Sequence, residues 1–207
     1  MNLTPIKTPK IAIRFFPNYL WRIDTSEKDI YLTFDDGPTA EVTPWILDTL
    51  SSFDAKATFF CIGKNVVANP EIYTSLLAAG HTVGNHTHTH LKGWKTPLPE
   101  YVSDVALAKQ HIASSLFRPP YGKLTSKQGK ALQTQGFRVV MWDVLSMDWD
   151  NSVSVETCLE NVLKKSRPGS IVVFHDSIKA SRNMQYALPK VLAHFSNEGY
   201  TFKALPF

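Results

Sequence analysis

Two adjacent aspartates, Asp35 and Asp36, are the residues of this chain whose type and spacing most clearly indicate chemistry. They follow an apolar run that begins at Ile30, and they directly precede Gly37 and Pro38. This pattern predicts a strand that ends at the aspartates, with both carboxylates at the carboxyl edge of a sheet, where α/β proteins build their sites. Because neighbouring carboxylates repel each other unless a cation holds them, the pair predicts a metal site.

A group of histidines could complete that site, since three of the seven in the chain, His86, His88 and His90, fall within five residues. His86 and His90 are four residues apart, so we expect them to share one face of a helical turn while His88 points away. Two imidazoles and one carboxylate can bind a metal and leave positions open for water and substrate. A surface loop without metal would also fit this spacing, but the aspartate pair favours the metal site.

Three further motifs carry polar or aromatic side chains close to predicted strand ends. Arg118 opens the Pro- and Gly-containing segment 118–122, whose stiffness could hold its guanidinium against a carboxylate. Segment 142–150 contains three acids and two tryptophans, and tryptophan suits a sugar face or an acyl group. His175 ends the β-branched run 171–174, where a histidine can donate a proton. Taken singly, these motifs would equally fit a rigid connector, an acidic loop tip and a core histidine.

Strand-like and helix-like segments alternate along the chain, which predicts an α/β fold. We expect a distorted, incomplete (β/α) barrel of about seven strands that resembles a TIM barrel, with an open doubly wound sheet as the alternative. No Gly-rich nucleotide-binding pattern follows the first strand, so a nucleotide cofactor is not indicated. The predicted strands are 30–34, 57–62, 81–84, 137–142, 170–175 and 200–204. The predicted helices begin at Thr43 as N-cap, at Asn69 and at Thr125, or lie around 101–112, 155–162 and 188–195.

Length and composition indicate an ordinary globular chain of 207 residues, 43% hydrophobic and 19% charged. We expect residues 1–28 to form an N-terminal extension that packs on a catalytic domain at 29–207. The net charge of +4 is scattered, which argues against a nucleic-acid partner. Cys61 and Cys158 are interpreted as buried hydrophobic side chains. No membrane span or signal peptide is evident, which favours the cytoplasm by default.

Together the five motifs resemble the polysaccharide deacetylase family, carbohydrate esterase family four, also known as the NodB homology domain. The resemblance covers about residues 29–205, and the motifs follow the family's order. Three motifs match most closely: 33–38 (TFDDGP), 86–90 (His-Thr-x-x-His) and 118–122 (RPPYG). The chain departs from the family pattern at Leu145, where members often carry an acid, at Val173, where leucine is common, and at His88, where other residues are frequent.

The resemblance implies a metal-dependent hydrolase that removes N-acetyl groups from N-acetylglucosamine-type sugars of peptidoglycan or a chitin-like glycan. It implies one divalent ion on Asp36, His86 and His90; Zn²⁺ is expected, and Co²⁺, Ni²⁺ or Mn²⁺ also suits these ligands. The other implied roles are Asp35 as general base, His175 as general acid, Arg118 and Asp148 to orient them, the Tyr121 backbone N–H to bind the oxyanion, and Trp149 and Val173 to wall the acetyl pocket.

Other activities fit parts of the same pattern. A deformylase or an O-acetyl esterase that acts on a lipid-linked or small glycan would use similar chemistry. A non-catalytic glycan-binding domain is disfavoured because base, ligands and acid are all present. A two-histidine, one-carboxylate iron oxygenase is disfavoured because position 88, where such enzymes usually carry the carboxylate, is a histidine. An N-acetylated glycan is therefore the expected partner.

Overall fold

Strands and helices alternate along the chain in a computed structural model, which describes residues 5–206. The strands are β1 (Asp29–Asp35), β2 (Thr58–Cys61), β3 (Thr82–Asn85), β4 (Leu116–Phe117), β5 (Arg138–Val139), β6 (Val144–Leu145), β7 (Ile171–His175) and β8 (Thr201–Phe202). The α-helices are α1 (Lys10–Phe15), α2 (Thr43–Ser51), α3 (Gly63–Ala68), α4 (Pro70–Ala78), α5 (Leu98–Lys109), α6 (Ser126–Thr134), α7 (Val155–Leu163) and α8 (Ile178–Asn197).

The named strands pair in parallel, in the spatial order β5-β4-β3-β2-β1-β7-β6. The short strand β8 pairs with the beginning of β1, where Asp29 lies opposite Thr201. The seven-stranded path curls into a half-barrel that is completed by helices. The expected distorted, incomplete (β/α) barrel of about seven strands is therefore confirmed.

The central strand β1 is buried along its whole length, and its two faces have different neighbours. Its even-numbered side chains join the apolar core that α2, α7 and α8 cover, where the Phe34 ring centroid lies 5.0 Å from that of Phe59. Because side chains alternate along a strand, the odd-numbered ones face the inside of the curled sheet. Asp35 is the last of these, so β1 itself delivers its carboxylate to the carboxyl end of the half-barrel.

Several predicted elements differ from the observed ones. The strand predicted at 137–142 is only Arg138–Val139, and the next residue, Val140, forms an isolated parallel bridge with Leu20. Strands β4 and β6 were not predicted, since two residues are too few for a periodic pattern. Thr43 is the first residue of α2 and not its N-cap; its hydroxyl donates to Asp176 and accepts the Thr39 N–H.

The N-terminal segment lies against the sheet. Lys7 forms an antiparallel bridge with Val144, and Arg22 forms one with Ser170. The division of the chain at residue 28 stays a prediction. Cys61 and Cys158 are both buried and free, as predicted. Among residues 5–206, no helix has the length and apolar character that crossing a bilayer requires.

Candidate active site

A cleft of about 470 Å³ opens at the carboxyl ends of the parallel strands. Of the ten predicted site residues, eight line it: Asp35, Asp36, His86, His90, Tyr121, Trp149, Val173 and His175. The remaining two, Arg118 and Asp148, are buried directly behind the lining and contact Asp35 and His175. The fold thus brings together residues that lie up to about 140 positions apart in the chain, as expected where parallel strands end at one edge.

Asp36, His86 and His90 form a cluster in which one ligand atom of each lies within 4.8 Å of the others. Asp36 Oδ1 lies 3.1 Å from Nε2 of His90 and 3.6 Å from Nε2 of His86. The predicted helical turn is wrong: segment 86–90 is an irregular loop in which Thr87 and His90 have φ of 64° and 62°. These two left-handed residues bend the chain so that both imidazoles face the same carboxylate.

The protonation of these groups suits a metal site. His86 Nδ1 lies 2.8 Å from the Arg118 carbonyl oxygen, which can only accept, so Nδ1 carries the proton and Nε2 presents a lone pair to Asp36. Burial lowers the pKa of His86 to about 4, which keeps this imidazole neutral. Burial opposes ionisation of Asp36, but the hydrogen bond from His90 and the nearby histidines outweigh it and lower the pKa of this carboxyl. A carboxylate with two imidazoles is a donor set for Zn²⁺ and similar ions.

Asp176 anchors the turn that carries this carboxylate, and the sequence did not point to it. Its Oδ1 accepts the Gly37 N–H at 2.8 Å, and its Oδ2 accepts the Thr43 hydroxyl at 2.8 Å. A Cβ at Gly37 would overlap the Asp176 carboxylate, so only glycine fits there. From the other side, Asn65 Nδ2 donates to the Asp36 carbonyl at 2.7 Å. These contacts hold Asp36 in a left-handed conformation with φ of 87°. The sequence signal that could have identified Asp176 is its position directly after the buried strand β7.

Arg118 fixes the second carboxylate of the pair. Its Nη1 lies 2.7 Å from Asp35 Oδ1 and donates to the Thr33 hydroxyl at 2.7 Å, while Nη2 donates to the Met141 carbonyl at 2.9 Å. The guanidinium is fully buried and lies 4.1 Å from the Phe60 ring centroid. Burial lowers the pKa of Arg118, but the Asp35 carboxylate opposes this and an arginine stays charged in proteins. Asp35 is therefore held in one orientation.

His175 ends β7 beside Asp35 of β1 and is held by Asp148. The His175 Nδ1 lies 2.8 Å from Asp148 Oδ1, so Nε2 is the ring nitrogen left for the cleft. Burial alone would lower the pKa of His175, but the Asp148 carboxylate, helped by Asp36 and Asp35, raises it to about 9. At neutral pH this imidazole therefore carries a proton that it can donate.

The wall beside His175 is apolar. Leu145 and Val173 pack together in a small buried cluster, and Trp149 lies with its ring centroid 4.8 Å from that of His175. All three line the cleft. On the opposite side, the Tyr121 ring lies 4.7 Å from His90, and Tyr121 adopts a left-handed φ of 60°.

His88 turns away from the cluster, although the helical turn on which that expectation rested does not form. Its ring lies 5.8 Å from that of His111, and its Nδ1 packs where a side chain at Gly63 would otherwise fit. The buried Nδ1 has no hydrogen-bond partner among the described residues. His88 does not line the cleft, so it lies outside the candidate site.

Known proteins resemble the chain in sequence and in structure. The sequence profile described as polysaccharide deacetylase matches residues 22–140. A peptidoglycan-N-acetylglucosamine deacetylase of Bacillus cereus is 35% identical over 188 residues, which cover 87% of this chain and 68% of the relative. A chitooligosaccharide deacetylase of Azorhizobium caulinodans is 35% identical over 162 residues, which cover 75% of this chain and 77% of the relative.

Among solved structures, the peptidoglycan N-acetylglucosamine deacetylase Bc1960, crystallised with a naphthalenyl N-hydroxybenzamide, superposes with a TM-score of 0.85. It is 32% identical, and the match covers 96% of this chain and 95% of that one. The motifs, the half-barrel and the profile match thus agree, and the chain belongs to the polysaccharide deacetylase family, carbohydrate esterase family four.

Proposed function

We propose that this chain is a metal-dependent N-deacetylase that removes acetyl groups from the N-acetylglucosamine units of a peptidoglycan-like or chitin-like glycan. The named relatives of the chain are peptidoglycan and chitooligosaccharide deacetylases, hydrolases that act on the N-acetyl amide bonds of polysaccharides. One observation carries the proposal: a single cleft brings together three groups of side chains. They are the cluster of Asp36, His86 and His90, the pair of Asp35 with Arg118, and the pair of His175 with Asp148. The names of the relatives support the choice of sugar.

Asp36, His86 and His90 would hold one divalent ion, and one carboxylate with two imidazoles is a donor set that suits Zn²⁺. A cation bound there would polarise the acetamide carbonyl and acidify water beside it. The short Asp36 turn and the irregular 86–90 loop are both fixed by neighbouring hydrogen bonds, which suits a site that must keep its geometry without moving.

Asp35 is proposed as the general base that removes a proton from the attacking water. Arg118 fixes the direction of this carboxylate, because the ion pair between them is buried and the guanidinium is held by further acceptors. The role of Asp35 therefore differs from that of Asp36, although the two are adjacent in sequence. A strand residue and a turn residue point into different parts of the cleft.

His175 is proposed as the general acid. As the new carbon–oxygen bond replaces the carbon–nitrogen bond, the departing sugar amine needs a proton, and His175 Nε2 can supply it. Asp148 keeps the imidazole protonated and oriented for this step. Asp35 and His175 are partner residues where β1 pairs with β7, so the proposed base and acid are neighbours at the carboxyl edge of the sheet.

The remaining predicted residues are proposed to bind the acetyl group. The backbone N–H of Tyr121 would donate to the oxygen that becomes negative. Leu145, Trp149 and Val173 present an apolar wall of the right kind for a methyl group. An aliphatic wall in place of the family's frequent acid at position 145 makes this pocket less polar.

The test is acetate release from N-acetylglucosamine oligomers and from peptidoglycan, by the purified protein before and after chelation and after Zn²⁺ is returned. We expect activity that chelation abolishes and Zn²⁺ restores, and no activity in His90→Ala. Full activity of a verified metal-free protein, or of His90→Ala, would refute the mechanism. Release of formate or of O-linked acetate alone would replace the substrate class, and glycan binding without any release would indicate a non-catalytic module.

A further inference from the structure

Lys92, Tyr121 and Lys123 line the cleft beside His90, and Trp94 contacts Lys123 outside that lining. We call these four side chains, two aromatic and two lysine, the aromatic shelf. Tyr121 is 58% exposed and Trp94 is 63% exposed, which is unusual for residues of this size. The Nζ of Lys92 lies 5.2 Å from the Tyr121 ring centroid, and that of Lys123 lies 5.0 Å from the Trp94 ring centroid. The shelf thus begins at a candidate metal ligand, His90, and extends outward from it.

The shelf is held rigidly from beneath. The side chain of Gln128 is almost fully buried, and its Nε2 donates to the Gly93 carbonyl at 2.9 Å. Gly93 lies so close to the second segment that a Cβ there would sit 2.4 Å from the Lys123 carbonyl oxygen. Trp94 Nε1 donates to the Leu124 carbonyl at 3.2 Å. The two segments that carry the shelf therefore form one unit, and the exposed rings are pre-positioned.

The charges around the cleft are unbalanced. Lys92 and Lys123 line it from the shelf, and Lys179 lines it from the start of α8. None of these three ammonium groups forms an ion pair within residues 5–206. In that same range, Asp35 and Asp36 are the only carboxylates of the lining, and both are engaged inside the site. The rim consequently attracts anions.

We propose that the aromatic shelf binds the sugar next to the one that loses its acetyl group, and that Lys92 and Lys123 pair with a carboxylate on that neighbouring sugar. The inference rests on the proposed function and specifies its substrate. Exposed aromatic rings suit the apolar face of a sugar, and ammonium groups form charge-assisted hydrogen bonds with carboxylates. Trp94 keeps most of its surface open beside Lys123, so both contacts are available at once. The enzyme therefore prefers a glycan with carboxylate-bearing units over a neutral one.

The test compares two forms of one substrate. The first is an oligosaccharide of alternating N-acetylglucosamine and N-acetylmuramic acid, whose lactyl groups carry carboxylates, and the second is its methyl ester. We expect the Lys92→Gln/Lys123→Gln double variant to lose about tenfold in kcat/KM on the acid form at low salt, mainly through KM, because rim charges act on encounter and binding. The loss on the ester should be clearly smaller, and high salt should reduce the difference.

Lys190→Gln is the matched control, because Lys190 also lies over a ring, that of Tyr186 at 3.7 Å, but outside the cleft. It should behave as the unmodified protein on both forms. Trp94→Ala should weaken the binding of both substrate forms to a similar degree, since stacking of the sugar on the ring does not depend on the carboxylate.

Three results would overturn the inference: equal losses of the double variant on acid and ester, no preference of the unmodified protein for the acid, or no effect of Trp94→Ala. Titration of the Asp35→Asn protein with both forms measures the same preference without turnover. Failure of the proposed function looks different, because the unmodified protein would then release no acetate from either form or from neutral oligomers.

Discussion

The carboxylate of Asp148 contacts His175 twice: Oδ1 lies 2.8 Å from the ring Nδ1, and Oδ2 accepts the backbone N–H at 2.7 Å. The two contacts orient the side chain, and the carboxylate binds the protonated ring more strongly than the neutral one. The charge of Asp148 and its hydrogen bond to the ring are the main reason that the pKa of this buried imidazole is raised to about 9, although burial by itself would lower it.

Asp148→Asn should therefore change the pH dependence of the reaction. An acid works only while protonated, so activity of the unmodified protein should fall as the pH rises through about 9. With the carboxylate removed, burial dominates, and we expect the alkaline limb of kcat against pH to move down by about one pH unit or more. Asp48→Asn, an exposed exchange on α2, should leave the limb in place. An unmoved limb in Asp148→Asn would show that another group sets it.

The same pair should link stability to pH. The pKa of His175 in the folded chain lies above its ordinary value of 6.5, so the stabilisation that it contributes is complete below 6.5 and disappears as the pH rises through about 9. Urea denaturation of the metal-free protein should show this loss, and Asp148→Asn should flatten the curve over that window. A curve of equal slope in both proteins would contradict the link.

Arg118→Lys should be far from conservative. Lysine keeps the charge but cannot reach Asp35, Thr33 and the Met141 carbonyl together, as the guanidinium does. We expect a loss of about 2–4 kcal/mol in the free energy of unfolding, because a buried ion pair is left imperfectly matched. Activity should fall more than stability explains, since Asp35 loses its orientation. Urea denaturation and kcat measure the two effects, with the exposed Arg182→Lys as control. Near-normal kcat would argue against Arg118 as a positioning residue.

Mutation should distinguish the roles of the two adjacent aspartates. Asp36 belongs to the cluster with His86 and His90, whereas Asp35 is paired with Arg118. Asp36→Asn should weaken Zn²⁺ binding to the metal-free protein as well as turnover, because a neutral amide is a poorer ligand. Asp35→Asn should abolish turnover and leave most of the Zn²⁺ affinity intact. Isothermal titration with Zn²⁺ and acetate release make the comparison, and each variant controls for the other. Equal behaviour of both would refute the division of roles.

The anchor beneath the Asp36 turn should matter for metal binding. Thr43→Val removes the hydroxyl that donates a hydrogen bond to Asp176, and Asp176→Asn replaces one of the two acceptor oxygens of that carboxylate. Each should cost about 1–3 kcal/mol of unfolding free energy, because a buried polar group loses its partner. Zn²⁺ affinity should fall as well, since the turn is less constrained.

Thr49→Val, on the same helix, is the matched control for the anchor, because its hydroxyl donates to the Trp45 carbonyl within α2 itself. It should leave the Zn²⁺ affinity unaltered. If Thr43→Val and Asp176→Asn lower stability but bind Zn²⁺ like the unmodified protein, the anchor serves folding alone.

The sequence by itself determined the residue types of the site and the order of the elements that carry them. Apolar runs in the sequence predict β1, β2, β3 and β7, because strand and helix periods are local properties of the chain. The polar residues at the ends of these runs include Asp35, Asp36, His86 and His175. The capping box of α6, in which Thr125 and Gln128 bond to each other, is likewise a local pattern that the sequence displays.

Tertiary structure decided which of these residues meet and what supports them. Strands β4 and β6 are two residues long and exist only through their neighbours' hydrogen bonds, so no local pattern marks them. The histidines converge through left-handed loop residues instead of a helical turn. The contact of Asp176 with Gly37 forms only in the folded chain. The same is true of the aromatic shelf, which two separate segments build together. Long-range contacts of this kind depend on packing, and packing is a property of the whole chain.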